Sequence, residues 1–220
     1  MTDPVTSPAV TSPAASAIDP HAISRRTLSL GLAAAVVLGP KAALAAGPDY
    51  PPTKGEMQGF VLLKTPAPAP QTPFFDGAGN VRHFSDFRGR VLVVNFWATW
   101  CAPCIKEMPS LSRLQERLGG PDFHLLAISQ DRGGHDVAEP FIRDRLGLEN
   151  LDLYYDPKLR LGRDMGVRGL PSTYVIDRAG NLVGGLAGAA EWDSEDAVAL
   201  VGHVMRTNRK TDPAISSDNT

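Results

Sequence analysis

The sequence predicts an α/β fold, a three-layer sandwich in which a mixed β-sheet carries helices on both faces. Three observations predict it. The runs "VLVVNFWA" from Val91 and "FHLLAIS" from Phe123 are continuous, β-branched and aromatic, as in strands buried on both faces. Between them Met108, Leu111, Leu114 and Leu118 recur at helical spacing, which gives the strand–helix–strand order of α/β folds. Further on, "STYVID" and "LVGGLAG" flank the turn sequence "RAGN" and form an antiparallel hairpin, so the sheet is mixed.

Residues 1–24 are polar and rich in Pro, Ser, Thr and Ala. Arg25 and Arg26 then precede an apolar stretch from Leu28 to Gly39, short of the ~20 residues a membrane-spanning helix needs. "ALA" at 43–45 offers small residues for cleavage, and no cysteine lies nearby to make a lipoprotein. Residues 1–45 are therefore expected to be an export signal, of twin-arginine type from the paired arginines, with Ala46 first after cleavage. A general secretory signal and an uncleaved membrane anchor are the alternatives. Residues 46–71 form a proline-rich, semi-rigid linker, in which "GFVLL" at 59–63 is apolar enough to dock on the domain.

The domain is expected over residues 72–206. It opens with a short hairpin around Asp76 to Asn80, followed by the strand from Val91, the first helix and the strand from Phe123. Val137, Phe141, Ile142 and Leu146 mark a second helix. After the later hairpin, Ala197, Val198, Leu200, Val201, Val204 and Met205 give a closing helix. Residues 207–220 are polar, lack a hydrophobic period and form a flexible C-terminal tail.

Composition narrows the function classes. With 43% hydrophobic and 21% charged residues and a formal net charge of −2, the chain is globular and has no basic excess to hold nucleic acid. Its two cysteines are too few for a disulfide-stapled scaffold. Structural zinc would need His83, His124, His135 or His203, none at ligand spacing, so no metal site is expected.

Both cysteines lie in "NFWATWCAPCIKEMP", where the first long strand gives way to the first helix. That places Cys101 at a helix N-terminus, where unpaired backbone N–H groups and the helix dipole favour a thiolate. In a Cys-X-X-Cys pair so placed the first thiol's pKa can fall from about 8.5 to ~7 or lower. Pro103 fits the first turn, where a missing N–H costs nothing, and Cys104 lies one turn on, within reach of a disulfide to Cys101. The alternative is an inert buried pair. Trp97 is expected in the core and Trp100 at the rim.

At this point the chain resembles the thioredoxin superfamily, and within it the TlpA-like thiol:disulfide oxidoreductases of bacterial envelopes, in the alphaproteobacterial branch. The matching residues are "NFWATWCAPC", Glu107, Pro109 and "GVRGLPSTYVID", with "SQDRGG" and "AGAAEWDS" pointing to that branch. The resemblance implies a thioredoxin-like fold, a redox-active Cys101–Cys104 disulfide with no other cofactor, and a periplasmic monomer that reduces disulfides in client proteins. It implies clients in respiratory oxidase copper-site assembly or, alternatively, cytochrome c maturation; because an oxidising periplasm would trap the pair as disulfide, a reductase there needs a membrane protein as electron donor. Thioredoxins bury an acid beside the second cysteine, but that place is taken here by Asn95, which cannot titrate. Glu107 is the candidate for the role, because position i+3 from Cys104 shares its helix face, and a solvated helix carboxylate is the alternative. Pro171 matches the family's cis-proline, which presents the backbone of Leu170 to an extended substrate. Trp100, Ala102, Pro103 and Leu170 would surround that substrate. A different function class, a module holding Cu(I) on the two thiolates without turnover, is less favoured, because copper-delivering relatives use a wider cysteine spacing and an added histidine.

Overall fold

The structure, a computed structural model, describes residues 51–207; the expected export signal and the C-terminal tail, apart from Thr207, lie outside the described residues. Eight strands form one sheet: β1 (Val61–Pro68), β2 (Phe74–Asp76), β3 (Val81–Arg82), β4 (Val91–Trp97), β5 (Phe123–Ser129), β6 (Leu153–Tyr155), β7 (Ser172–Ile176) and β8 (Asn181–Ala187). Their order across the sheet is β1-β8-β7-β4-β5-β6-β2-β3. β4, β5 and β6 run parallel, and the remaining pairings are antiparallel. Among the described residues four α-helices accompany them: α1 (Ala102–Leu118), α2 (His135–Pro140), α3 (Arg160–Asp164) and α4 (Glu195–Thr207).

β4 and β5 are buried at every position, as their unbroken apolar runs require. Alternation along β4 divides the core. Val91, Val93 and Trp97 join residues of α1 and α4, whereas Leu92, Val94 and Phe96 join Phe74, Phe84, Phe87 and Leu161 on the opposite face. One face is thus covered by α1, α4 and the α2 region. The other is covered by α3 and the 3-10 turn Phe84–Phe87, where Phe74 packs against Phe84 and Phe87 with ring centroids 5.4 and 6.4 Å apart.

Two expectations are corrected. The second helix is only partly α-helical. α2 ends at Pro140 and the chain continues as one π turn, Phe141–Arg145, and Val137 lies on its exposed side. A proline inside a helix removes one backbone donor, and the wider turn accommodates that loss.

The described part of the expected linker, residues 51–71, is also more than a linker. β1 pairs with β8 at Val61↔Gly185 and Leu62↔Gly184, and Met57, Phe60 and Ala69 are buried in the core. Gly184 permits the pairing, since a Cβ there would lie 2.4 Å from the Val61 carbonyl oxygen. As an edge strand β1 tolerates its prolines, and its Val61 is 69% exposed. Met57→Ala should therefore cost roughly 2–5 kcal/mol, as for a core methionine, in a urea unfolding titration. A linker residue would cost almost nothing.

Candidate active site

The carboxyl ends of β4 and β5 build the site. At the end of β5, the Asp131 carboxylate accepts from Thr99 N (2.9 Å) and Thr99 Oγ1 (2.8 Å), and also from Ser129 Oγ (2.9 Å). The Gln130 backbone N–H donates to the Trp97 carbonyl at 2.8 Å. These contacts hold the loop between β4 and α1 against the neighbouring strand. Asp131 was not foreseen from the sequence. A polar Ser-Gln-Asp run at the carboxyl end of a buried strand is a signal that could have found it, because open α/β sheets place their sites there.

Cys101 caps α1 and is bonded to Cys104, with Cα atoms 5.3 Å apart. The Cys104 backbone N–H points at the Cys101 sulfur, 3.3 Å away. The same N–H would stabilise a thiolate at Cys101 after reduction. The two sulfur residues differ in access. Cys101 retains 6% exposure, whereas Cys104 has 0% and is enclosed by the core around α1. Ala102 and Pro103 are exposed on the first turn, and Trp100 stands out at 72% exposure, while Trp97 is fully buried.

Along α1 from Cys104, Glu107 belongs to a buried polar cluster. Glu107 is 1% exposed, which removes the solvated alternative. Its carboxylate accepts from Asn95 Nδ2 at 2.8 Å and from the Ala190 backbone N–H at 3.2 Å, and Asn95 Nδ2 also donates to Thr173 Oγ1 at 2.8 Å. Ser110 ties the same region together: its hydroxyl donates to the Glu107 carbonyl at 2.8 Å and accepts from the Trp192 backbone N–H at 3.0 Å. Burial pushes the Glu107 carboxyl up to about 7, against the opposing pull of the Asn95 and Ala190 donors. The Trp192 indole N–H also favours the charged form, from outside hydrogen-bond geometry. Asn95, which cannot titrate, thus becomes the partner that orients the titrating group.

The Leu170–Pro171 peptide is cis. Half-buried Leu170 shares a groove with Trp100, so the structure brings together these two of the predicted substrate contacts. Among the described residues no group of three or more His, Cys, Asp and Glu is arranged to hold a metal ion.

A cysteine pair capping the helix after the central strand, on a mixed sheet with a cis X-Pro before β7, defines a protein of the thioredoxin-like fold. The chain belongs to the AhpC/TSA family, whose sequence profile matches residues 63–184, more than half of its length. Among relatives, it is 35% identical over 100 residues to the thiol:disulfide interchange protein HelX of Rhodobacter capsulatus, covering 46% of this chain and 53% of HelX. It is 30% identical over 115 residues to the thiol-disulfide oxidoreductase ResA of Bacillus anthracis, covering 52% of this chain and 65% of ResA. The chain thus spans under two thirds of either relative. The crystal structure of a thiol:disulfide interchange protein of the thioredoxin family from Chlorobium tepidum superposes with a TM-score of 0.51 at 26% identity, over 64% of this chain and 99% of that one.

Proposed function

We propose that the protein is a thiol:disulfide oxidoreductase that reduces disulfides in client proteins. The observation that carries this reading is the asymmetry of the pair: Cys101 reaches the surface at a helix N-terminus, and Cys104 is enclosed, one helical turn before Glu107, whose carboxyl burial pushes up to about 7. In the reduced protein the Cys101 thiolate attacks one client sulfur, forming a mixed disulfide and expelling the other client sulfur as a thiolate. Cys104 then passes its proton towards Glu107 and attacks the Cys101 sulfur. This closes the Cys101–Cys104 disulfide and releases the second client thiolate. Two electrons pass to the client, whose thiolates take up two protons. The disulfide left behind must be reduced by an outside dithiol donor before another turnover.

The relatives' names, thiol:disulfide interchange protein and thiol-disulfide oxidoreductase, support this chemistry. The paired arginines and short apolar run of residues 1–45 support export to the periplasm, where the donor would be a membrane protein. The TlpA-like resemblance supports clients in oxidase copper-site or cytochrome c assembly. The test mixes pre-reduced protein with a disulfide-bonded protein and counts thiols. Two client thiols should appear for each Cys101–Cys104 disulfide formed. Retention of Cu(I) with no thiol transfer would overturn the reading.

A further inference from the structure

We propose that the groove beside the redox pair selects client segments carrying an acidic residue next to an apolar one, with Arg163 and Arg168 as the selecting groups; this rests on the oxidoreductase reading above. The groove lies between Trp100 and Leu170, and Leu159 and Val167 add to its apolar lining. Both arginines line it and both are exposed. Arg163 is steadied by a bond from its guanidinium to the Lys158 carbonyl at 3.3 Å, while the Arg168 side chain makes no hydrogen bond or ion pair among the described residues.

The carboxylates nearest in sequence are committed elsewhere. Asp164 accepts from Thr72 Oγ1. Asp156 is buried, accepting from the backbone N–H groups of Arg160 and Gly162, both at 2.9 Å, and from Gln130 Nε2 at 3.2 Å. Lys158 and Arg160, both exposed, extend the positive edge. A cationic rim on an apolar groove that begins at Trp100, next to Cys101, is complementary to an anionic side chain on the substrate.

The wall is built rather than incidental. Leu159 adopts left-handed backbone, φ 56°, the one non-glycine to do so among the described residues, and its N–H is held by the Asp156 carbonyl at 2.9 Å. Gly162 brings α3 against the end of β5, since a Cβ there would meet Gln130 Oε1 at 2.7 Å. The Asp156–Gln130 bond thereby fixes the arginine-bearing segment to the strand end that also anchors the cysteine loop.

The experiment compares two disulfide peptides of identical sequence except that the residue flanking a Cys-Leu pair is Glu in one and Lys in the other. Reduced protein should react about tenfold faster with the Glu peptide at low salt, and the ratio should fall towards one at high salt. In the protein carrying Arg163→Glu and Arg168→Glu the ratio should invert, with thermal melting confirming that it folds. A ratio near one in the unaltered protein, or an unchanged ratio in the variant, overturns the proposal. Failure of the unaltered protein to reduce either peptide or a small disulfide would instead overturn the oxidoreductase reading, and this proposal with it.

Discussion

Cys104→Ser should turn the protein into a trap, capturing clients as mixed disulfides on Cys101, whereas Cys101→Ser should capture none. The expectation follows from access and from the order of bond making. Attack begins at the sulfur a client can reach, and that is Cys101, at 6% exposure against 0% for Cys104. On the proposed mechanism, once the mixed disulfide has formed the intact protein resolves it by intramolecular attack from Cys104, one helical turn away. Serine in place of Cys104 fills nearly the same volume and makes no such attack, so the adduct persists until outside thiol arrives. Cys101→Ser leaves a thiol that no client can touch. Non-reducing electrophoresis after alkylation reads both outcomes. Equal capture by the two variants would contradict the assignment of attacking and resolving sulfurs.

Glu107→Gln should change how both stability and exchange respond to pH. The carboxyl titrates at about 7 in the folded protein against an ordinary 4.5. Between those values the folded chain keeps a proton that the unfolded chain has released, so stability falls as pH rises through the window and is level on either side. At ~1.4 kcal/mol per pKa unit the loss across the window is ~3 kcal/mol. Glutamine abolishes the slope. It adds a roughly constant cost of about 1 kcal/mol because its NH2 group must face either the Asn95 or the Ala190 donor, where the carboxyl group presents an oxygen in both protonation states. Urea titrations at several pH values should show the variant the less stable near pH 4.5 and the more stable above 7. The resolving step, in which Cys104 attacks the mixed disulfide, should lose the part of its pH dependence that titrates near 7, while attack by Cys101 keeps its own. Parallel stability curves would mean that the buried Glu107 carboxyl titrates as an ordinary one and would contradict its role as proton acceptor for Cys104.

The central strand–helix–strand unit was legible because each element there is long and regular: seven buried residues in β4, seventeen helical residues in α1 and seven buried residues in β5. β1 was not. Its local signal is a proline-rich chain, and what makes it a strand is pairing with β8 through Gly184, more than a hundred residues on. β6 and α3 escaped for a related reason, being three and five residues long, with α3 held by Asp156 rather than by periodicity. At the site, spacing alone put Glu107 on the face of Cys104. Whether that face was wet or dry depended on Ala190 and Trp192, beyond β8, and no local pattern reports that.

The midpoint potential of the Cys101–Cys104 couple, titrated with a dithiol buffer, tests the central claim most directly. The Ala-Pro pair between the cysteines carries no histidine to stabilise a thiolate as strong oxidants do. The couple should therefore lie near the ~−270 mV of thioredoxin, low enough to reduce client disulfides. A midpoint near the ~−120 mV of a strong periplasmic oxidant would make the protein a donor of disulfides, and no reversible couple at all would make the pair structural; either result contradicts a reductase.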